Sequence, residues 1–292
     1  MLASIGHFGD LADLARLHYD ETTAEGEPCC ATILLLHGIY GSGQNWRSVA
    51  RRLVGRRPEW RVVAVDLRSH GRSPRLEPQT LRACAEDLAE VEARLGDDVR
   101  AVLGHSFGGK VALLHASLAG SDPSAGPRQY WIVDAAPGAR RQVGGPWRIL
   151  EVLRRSPGPF DRRVDAQAAF EVEGFPRAVA RWMATNVAPV RNRRDGQMEW
   201  RIDPEEMERH LDDFAGTDLW NVVESPPAGT TIHFVRATDS AALTPADVRR
   251  IELVARRSGR VSLHHVPGGH WLNAENPDGL VKLLARELPK RM

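Results

Sequence analysis

Residues 99–119 read VRAVLGHSFGGKVALLHASLA, with Ser106 near the middle of the segment. An apolar run typical of a buried strand ends at GHSFG (104–108), and apolar residues at helical spacing follow it. A G-x-S-x-G sequence between a strand and a helix predicts a sharp turn that presents the serine hydroxyl at the carboxyl edge of a sheet. Glycine suits both flanking positions, because a Cβ there would meet neighbouring backbone. The segment therefore predicts an α/β fold with an exposed nucleophile at the sheet edge.

Composition limits the classes of protein to which the chain can belong. A chain of 292 residues with 42% hydrophobic residues can bury one large core, and a single fold with an insertion is the expectation. The net charge of +1 gives no reason to expect a nucleic acid or an acidic membrane surface as partner. Three cysteines make no disulfide framework, and no apolar run approaches a membrane span, so we expect a cytoplasmic protein without membrane insertion.

Apolar runs typical of strands alternate with amphipathic helical patterns along the chain. This alternation predicts a mostly parallel sheet with helices on both faces, since strands buried on both faces read as continuous apolar runs. The segment 14–22 has the alternating pattern of an edge strand. The further predicted strands are 31–36, 61–65, 99–103, 129–133, 230–235 and 261–266.

The loop after the strand at 31–36 reads HGIYGSG (37–43). Loops at the carboxyl ends of parallel strands are where α/β sheets bind ligands. The backbone N–H of Ile39 could pair there with that of Phe107, the first residue after the serine, as an oxyanion hole. Asp66 also follows a strand, but it precedes the serine segment, and we expect it to tie down its own loop by hydrogen bonds.

A serine hydroxyl needs a general base within hydrogen-bond reach, and His270 in PGGHW (267–271) is the candidate. Two aspartates compete to orient this histidine, Asp134 and Asp239, because the chain order serine, aspartate, histidine fits either. In many hydrolases with a G-x-S-x-G turn, the loop after the penultimate strand carries an acid three residues after a glycine. Ala237 replaces that glycine here and Ser240 stands at the acid position. We therefore favour Asp134, with Asp239 as the alternative and Ser240 as an auxiliary hydrogen-bonding group.

The pattern changes between residues 139 and 225, where apolar periodicity is intermittent and arginine and tryptophan are frequent. Short helices are predicted at 164–172, 176–186 and 204–214, the last with Asp203 as N-cap and Pro204 in its first turn. We interpret 139–225 as a helical cap inserted into a core made of 1–138 and 226–292. Most of its aromatic and methionine side chains are expected to form the cap's own core.

Six segments in combination resemble the α/β-hydrolase superfamily, in particular its branch of YbfF-type bacterial esterases and abhydrolase-domain-11 proteins. They are HGIYGSGQNW (37–46), VDLRSHGRSP (65–74), GHSFGGKVAL (104–113), VDAAP (133–137), EWRID with HLDDF (199–203 and 210–214) and GGHWLNAENP (268–277). The resemblance implies an eight-stranded, mostly parallel sheet with a small helical cap. It also implies hydrolysis of small to medium acyl esters without a cofactor. In that branch the acid follows the strand after the serine turn, which matches Asp134, and a serine takes the usual acid position, which matches Ser240.

Other activities share these motifs. Carbon–carbon bond hydrolases and cofactor-free haloperoxidases of this fold keep the serine, and a non-catalytic small-molecule receptor can be built on the same scaffold. Dehalogenases and epoxide hydrolases use an aspartate nucleophile, which Ser106 argues against. No H-E-x-x-H sequence and no Cys/His cluster with ligand spacing is present, so no metal site is predicted.

Overall fold

Parallel strands build the central sheet of the computed structural model, which describes residues 16–26, 28–96, 99–119, 128–140, 144–190 and 196–290. The strands within these ranges are β1 (Tyr19–Thr22), β2 (Ala31–Leu36), β3 (Trp60–Val65), β4 (Val99–His105), β5 (Arg128–Val133), β6 (Val187–Pro189), β7 (Met198–Trp200), β8 (Thr230–Ala237) and β9 (Val261–Val266). The main sheet has the order β1-β3-β2-β4-β5-β8-β9. Only β1 is antiparallel to its neighbour in it.

The main sheet has seven strands in the described ranges, so the eight strands implied by the family resemblance are wrong for this part of the chain. Six of the seven correspond to apolar runs predicted from the residues themselves, and β1 corresponds to the predicted alternating edge strand. The physical reason lies at the edges, where β1 pairs only with β3 and β9 only with β8. No further described segment hydrogen-bonds to either outer edge, and the sheet therefore ends there.

Helices cover both faces of this sheet. The helices of the described ranges are α1 (Arg47–Arg56), α2 (Leu81–Leu95), α3 (Phe107–Leu118), α4 (Gly145–Arg155), α5 (Arg163–Val172), α6 (Arg177–Met183), α7 (Pro204–Gly216), α8 (Trp220–Glu224), α9 (Pro245–Ser258), α10 (Leu272–Glu275) and α11 (Pro277–Glu287). One apolar core joins the sheet to α2, α3 and α9, and a second joins the opposite face to α1 and α11. No helix in the described ranges combines the length and apolar composition that a bilayer span requires.

The segment between β5 and β8 contains α4 to α8 and the small antiparallel hairpin β6-β7. Three of its helices were predicted within a few residues of their ends, and the Asp203 side chain accepts hydrogen bonds from the N–H groups of Glu205 and Glu206, as an N-cap does. Phe170, Met183 and Met207 are fully buried in it. The segment thus has apolar contacts of its own, and α4, α8 and the hairpin were not predicted.

Sheet order decides which loops meet. Because β2, β4, β5, β8 and β9 are parallel, the loops that follow them leave the same edge of the sheet. Residues 37–43, 106, 134, 238–240 and 267–271 all belong to these loops. The fold therefore gathers the chemical groups predicted from distant parts of the sequence at one edge, as open α/β sheets generally do.

Candidate active site

Ser106 lies in a strained turn between β4 and α3. Its φ of 52° is rare for a residue with a side chain, and its N–H donates to the Val133 carbonyl at 2.9 Å. A Cβ on Gly104 would overlap the Gly108 carbonyl, and one on Gly108 would lie 2.6 Å from the His37 carbonyl oxygen. Both glycines are therefore required by close backbone approach, as the G-x-S-x-G pattern predicts. The turn holds the serine side chain at the edge of the sheet.

His270 and Asp134 form a direct hydrogen bond. The imidazole Nδ1–H donates to Asp134 Oδ2 at 2.7 Å, and the N–H of Ala237 donates to Asp134 Oδ1 at 3.2 Å. Asp134 is 1% exposed and has a φ of 49°. Because Nδ1 is the donor in this pair, Nε2 of the neutral imidazole is left as the proton acceptor.

The alternative acid, Asp239, faces away from this pair. It is exposed, its carboxylate accepts from the Thr238 hydroxyl at 3.0 Å, and its N–H donates to Gly268. Ser240 lines the same cavity as His270, and its hydroxyl accepts from the N–H of Ala242 at 3.1 Å. Of the two aspartates, Asp134 is the one that contacts the histidine, with its Oδ2 2.7 Å from His270 Nδ1.

The loop after β2 is held by His37. Its Nδ1–H donates to the Gly38 carbonyl at 2.8 Å, and its Nε2 accepts from the N–H of Leu67 at 3.0 Å. Burial lowers the pKa of His37 to about 4, so the ring is neutral and both contacts persist. Ile39 follows in this loop and lines the cavity beside Ser106, whereas Phe107 begins α3. Of the two predicted oxyanion residues, Ile39 thus lies in the loop after β2 and Phe107 is the first residue of the helix that follows the serine.

Asp66 supports loops rather than the histidine, as expected. Its carboxylate accepts the N–H of Gly43 at 2.6 Å and that of Arg72 at 2.8 Å. A Cβ on Gly71 would collide with this carboxylate, and Gly71 has a φ of 57°. These contacts fix the loop after β3 against the loop after β2, which carries Ile39.

A cavity of about 840 Å³ opens above the serine. Ser106, His270 and Ile39 line it together with apolar side chains of the segment between β5 and β8 and of the 267–271 loop, such as Phe175, Trp182, Phe214 and Trp271. The ring centroids of Trp182 and Trp271 are 6.0 Å apart, and Trp271 is 37% exposed. The cavity therefore offers a reacting group below and an apolar wall above. No cluster of three His, Cys, Asp or Glu side chains suited to a metal ion occurs in the part of the chain that the structure describes.

Two polar residues of the site were missed by sequence reasoning. His105 Nε2 donates to the backbone carbonyl of His270 at 2.7 Å. Lys110 on α3 is 1% exposed and donates to three backbone carbonyls, those of Gly138, Phe214 and Thr217, at 2.7 to 2.9 Å. A lysine between the apolar residues of a buried helix was a signal for the second. The first gave no signal, because its partner is a carbonyl far away in the sequence.

Comparisons with known proteins identify the family of this chain. The profile of the alpha/beta hydrolase family matches residues 33–283. The sn-1-specific diacylglycerol lipase ABHD11 of Danio rerio is 27% identical over 273 residues, which is 91% of this chain and 80% of the lipase. Esterase YbfF of Escherichia coli is 34% identical over 104 residues, 36% of this chain and 40% of the esterase.

Solved structures show the same fold. A marine microorganism esterase superimposes with a TM-score of 0.77 at 24% identity, covering 94% of this chain and 100% of the esterase. The family match spans β2 to α11 and includes every loop that carries a predicted site residue. This chain therefore belongs to the alpha/beta hydrolase family, in the branch that holds the ABHD11 and YbfF proteins.

Proposed function

We propose that this protein hydrolyses carboxylic esters with Ser106 as nucleophile, His270 as general base and acid, and Asp134 as the acid that orients the histidine. The observation that carries the proposal is the 2.7 Å hydrogen bond from His270 Nδ1 to Asp134, at the sheet edge where the strained serine turn lies. That pairing leaves Nε2 as the proton acceptor, and Ser106 lines the same cavity. Relatives named as lipases and esterases support the same activity.

The proposed reaction passes through an acyl-enzyme. His270 Nε2 takes the proton of the Ser106 hydroxyl while the oxygen attacks the ester carbonyl, and the resulting oxyanion accepts hydrogen bonds from the N–H groups of Ile39 and Phe107. The imidazolium then gives its proton to the leaving alcohol oxygen as the ester C–O bond breaks. A water molecule, deprotonated by the same Nε2, attacks the acyl carbonyl, and Ser106 leaves with that proton.

The cavity supports an acyl ester of small to medium length as substrate. Its volume of about 840 Å³ exceeds what a short acyl group fills, and its upper wall is apolar and aromatic. A thioester presents the same carbonyl and a better leaving group, and it is therefore included in the proposal. Arg140 and Arg148 also line the cavity, and the Arg140 guanidinium is held by Asp247 at 2.7 Å.

The segment 139–225 acts in this proposal as a cap over a catalytic core made of 1–138 and 226–292. Phe175, Val179 and Trp182 from this segment line the cavity above Ser106. The side chain of Asn186 donates to the Tyr40 carbonyl in the loop after β2 at 2.8 Å, and the Tyr40 hydroxyl donates to Pro146 at 2.8 Å. These contacts between the segment and the Ile39 loop support a shared role in substrate binding.

The test combines turnover with covalent labelling. Hydrolysis of p-nitrophenyl esters from acetate to decanoate and of matched thioesters is measured together with fluorophosphonate labelling, located by mass spectrometry. We expect labelling at Ser106, and loss of both labelling and turnover in Ser106→Ala. Ser258→Ala is the matched control, since Ser258 is the last residue of α9, is not among the cavity-lining residues, and its hydroxyl accepts from the N–H of Arg260. Full activity of Ser106→Ala would refute the proposal.

A further inference from the structure

One buried imidazole lies between the serine turn and two other loops of the proposed catalytic centre, those of Ile39 and His270. His105 is the last residue of β4 and directly precedes Ser106. Its Nε2 lies 2.7 Å from the His270 carbonyl oxygen, and the two rings have their centroids 4.6 Å apart. On its other side, a Cβ built on Gly38 would lie 3.1 Å from His105 Nδ1, so the ring also packs against the loop that carries Ile39.

The chemistry of this contact fixes the tautomer. A carbonyl oxygen only accepts hydrogen bonds, so His105 Nε2 must carry the hydrogen. Burial lowers the pKa of His105 to about 3, and the ring is therefore neutral at any pH at which the histidine base works. His105 is consequently an uncharged planar ring with one N–H donor, which points to the His270 carbonyl.

The loop around His270 needs such an anchor. Two glycines, Gly268 and Gly269, precede the histidine, and Gly268 has a φ of 133°. The outer part of the loop is held by Asp239, whose N–H donates to Gly268, and by Glu275, which accepts from the N–H of Gly269. On the serine side, the described hydrogen bond to the main chain of His270 comes from His105.

We propose that His105 is a positioning residue, which ties the main chain of His270 to the serine turn through its Nε2–H group. Asp134 fixes the ring of His270 at Nδ1, and His105 fixes the backbone that carries the ring. Together the two contacts determine how far Nε2 of His270 lies from the Ser106 hydroxyl. This inference rests on the proposed ester hydrolysis and adds the residue that sets the geometry of its base.

Side chains at position 105 that can still donate an N–H group to the His270 carbonyl should keep activity, and side chains that cannot should lose it. Glutamine places its amide nitrogen near the position of a histidine Nε2. Asparagine carries the same amide one methylene shorter, and phenylalanine keeps the ring without a donor. A purely structural role of His105 would instead rank these variants by packing and stability.

The experiment compares His105→Gln, His105→Asn and His105→Phe for p-nitrophenyl butyrate hydrolysis, fluorophosphonate labelling rate and thermal unfolding. We expect kcat and the labelling rate to fall on the order of 10- to 100-fold in the Asn and Phe variants, with KM changed less than about threefold, because a small displacement of a base is enough for such a loss. The Gln variant should stay within about threefold of the native enzyme. In the plot of kcat/KM against pH, the Gln variant should show one ionisation on the acid side, at the same pH as the native protein. His105 is neutral over this range, so replacing it removes no ionising group.

The results distinguish a failure of the positioning role of His105 from a failure of the proposed ester hydrolysis. Turnover that persists in Ser106→Ala defeats ester hydrolysis by the proposed triad. An inactive Ser106→Ala combined with native turnover in His105→Phe, or with a Gln variant as slow as the Asn variant, overturns the positioning role alone. Where the Phe variant shows no cooperative unfolding, the Gln and Asn pair decides, because the two differ by one methylene group.

Discussion

At the scale of single residues, the hydrogen bond between His270 and Asp134 gives the two candidate acids unequal expected effects. Asp134→Asn should lower kcat/KM for a p-nitrophenyl ester on the order of 10³- to 10⁴-fold, because an amide nitrogen facing Nδ1 favours the wrong imidazole tautomer. Asp239→Asn should change kcat/KM less than about threefold, since Asp239 is exposed and bonded to Thr238.

The same pair of variants contains its own control. In Asp134→Asn the amide oxygen of the new side chain can still accept the Ala237 N–H, so thermal unfolding should remain cooperative. A larger loss of turnover in Asp239→Asn than in Asp134→Asn would contradict the assignment of the acid.

His210 on α7 is a second residue with a measurable consequence. Its ring is fully buried against His70 and Phe107, and neither ring nitrogen has a hydrogen-bond partner among the described residues. A buried N–H without an acceptor costs about 1–3 kcal/mol. His210→Leu, which has a similar volume, should therefore raise the free energy of unfolding by about 1–3 kcal/mol in urea titrations at pH 7.5. An unchanged or lower value would show that the ring is satisfied.

At the scale of elements, Lys110 connects α3 to the segment between β5 and β8. Its ammonium group donates to the carbonyls of Gly138, Phe214 and Thr217. Lys110→Met removes these bonds and leaves the three carbonyls without that donor, so the free energy of unfolding should fall on the order of 3 kcal/mol. Lys282→Met is the matched control, because Lys282 is exposed on α11 and should change stability by less than about 0.5 kcal/mol. Equal effects in the two variants would refute this connection.

Elements with strong local signals were predictable, and elements made by tertiary contacts were not. Six sheet strands follow from apolar runs and β1 from an alternating pattern, and α7 follows from its Asp203 cap and Pro204. In contrast, α4 begins after Gly144 without a side-chain cap, and β6 and β7 have only three residues each. Such short or uncapped elements are stabilised by what packs on them, which a local pattern does not contain.

Some residues of the candidate site were likewise predictable from the sequence and others were not. Ser106, His270 and the loop of Ile39 could be found because each follows a predicted strand with a recognisable turn. The sequence favours Asp134 over Asp239, because Ala237 and Ser240 depart from the usual turn, and in the structure the carboxylate of Asp134 contacts His270. His105 could not be predicted, because its function depends on a backbone carbonyl that lies 165 residues later in the chain.

At the scale of the whole molecule, buried neutral histidines couple stability to pH. Burial lowers the pKa values of five of them from the ordinary 6.5, to about 4 for His37, about 3 for His70, His105 and His115, and about 2 for His210. Between pH 6.5 and these values the unfolded chain binds protons that the folded chain excludes. The stability they contribute is therefore full above the unfolded-state pKa and is lost as pH falls toward the folded-state values.

Urea unfolding at about pH 7.5, 6.5, 5.5 and 5.0 checks this dependence. The free energy of unfolding should decrease below about pH 6.5, with each histidine contributing up to about 1.4 kcal/mol per pH unit. In His210→Leu the free energy of unfolding should decrease less steeply with falling pH, by up to the contribution of one proton. His265→Leu changes an exposed position and should follow the native curve. A native curve that is flat over this whole range would contradict the prediction.

The two indole rings that line the cavity, those of Trp182 and Trp271, have a practical consequence for engineering. Trp271 directly follows His270 in the chain, with its ring centroid 5.8 Å from the imidazole, whereas Trp182 belongs to α6 and its ring centroid lies 6.0 Å from that of Trp271. Widening the cavity at either ring should admit bulkier acyl donors, but only a change at 271 also removes a direct neighbour of His270. Saturation libraries screened on branched esters should accordingly yield more fast variants at position 182 than at position 271.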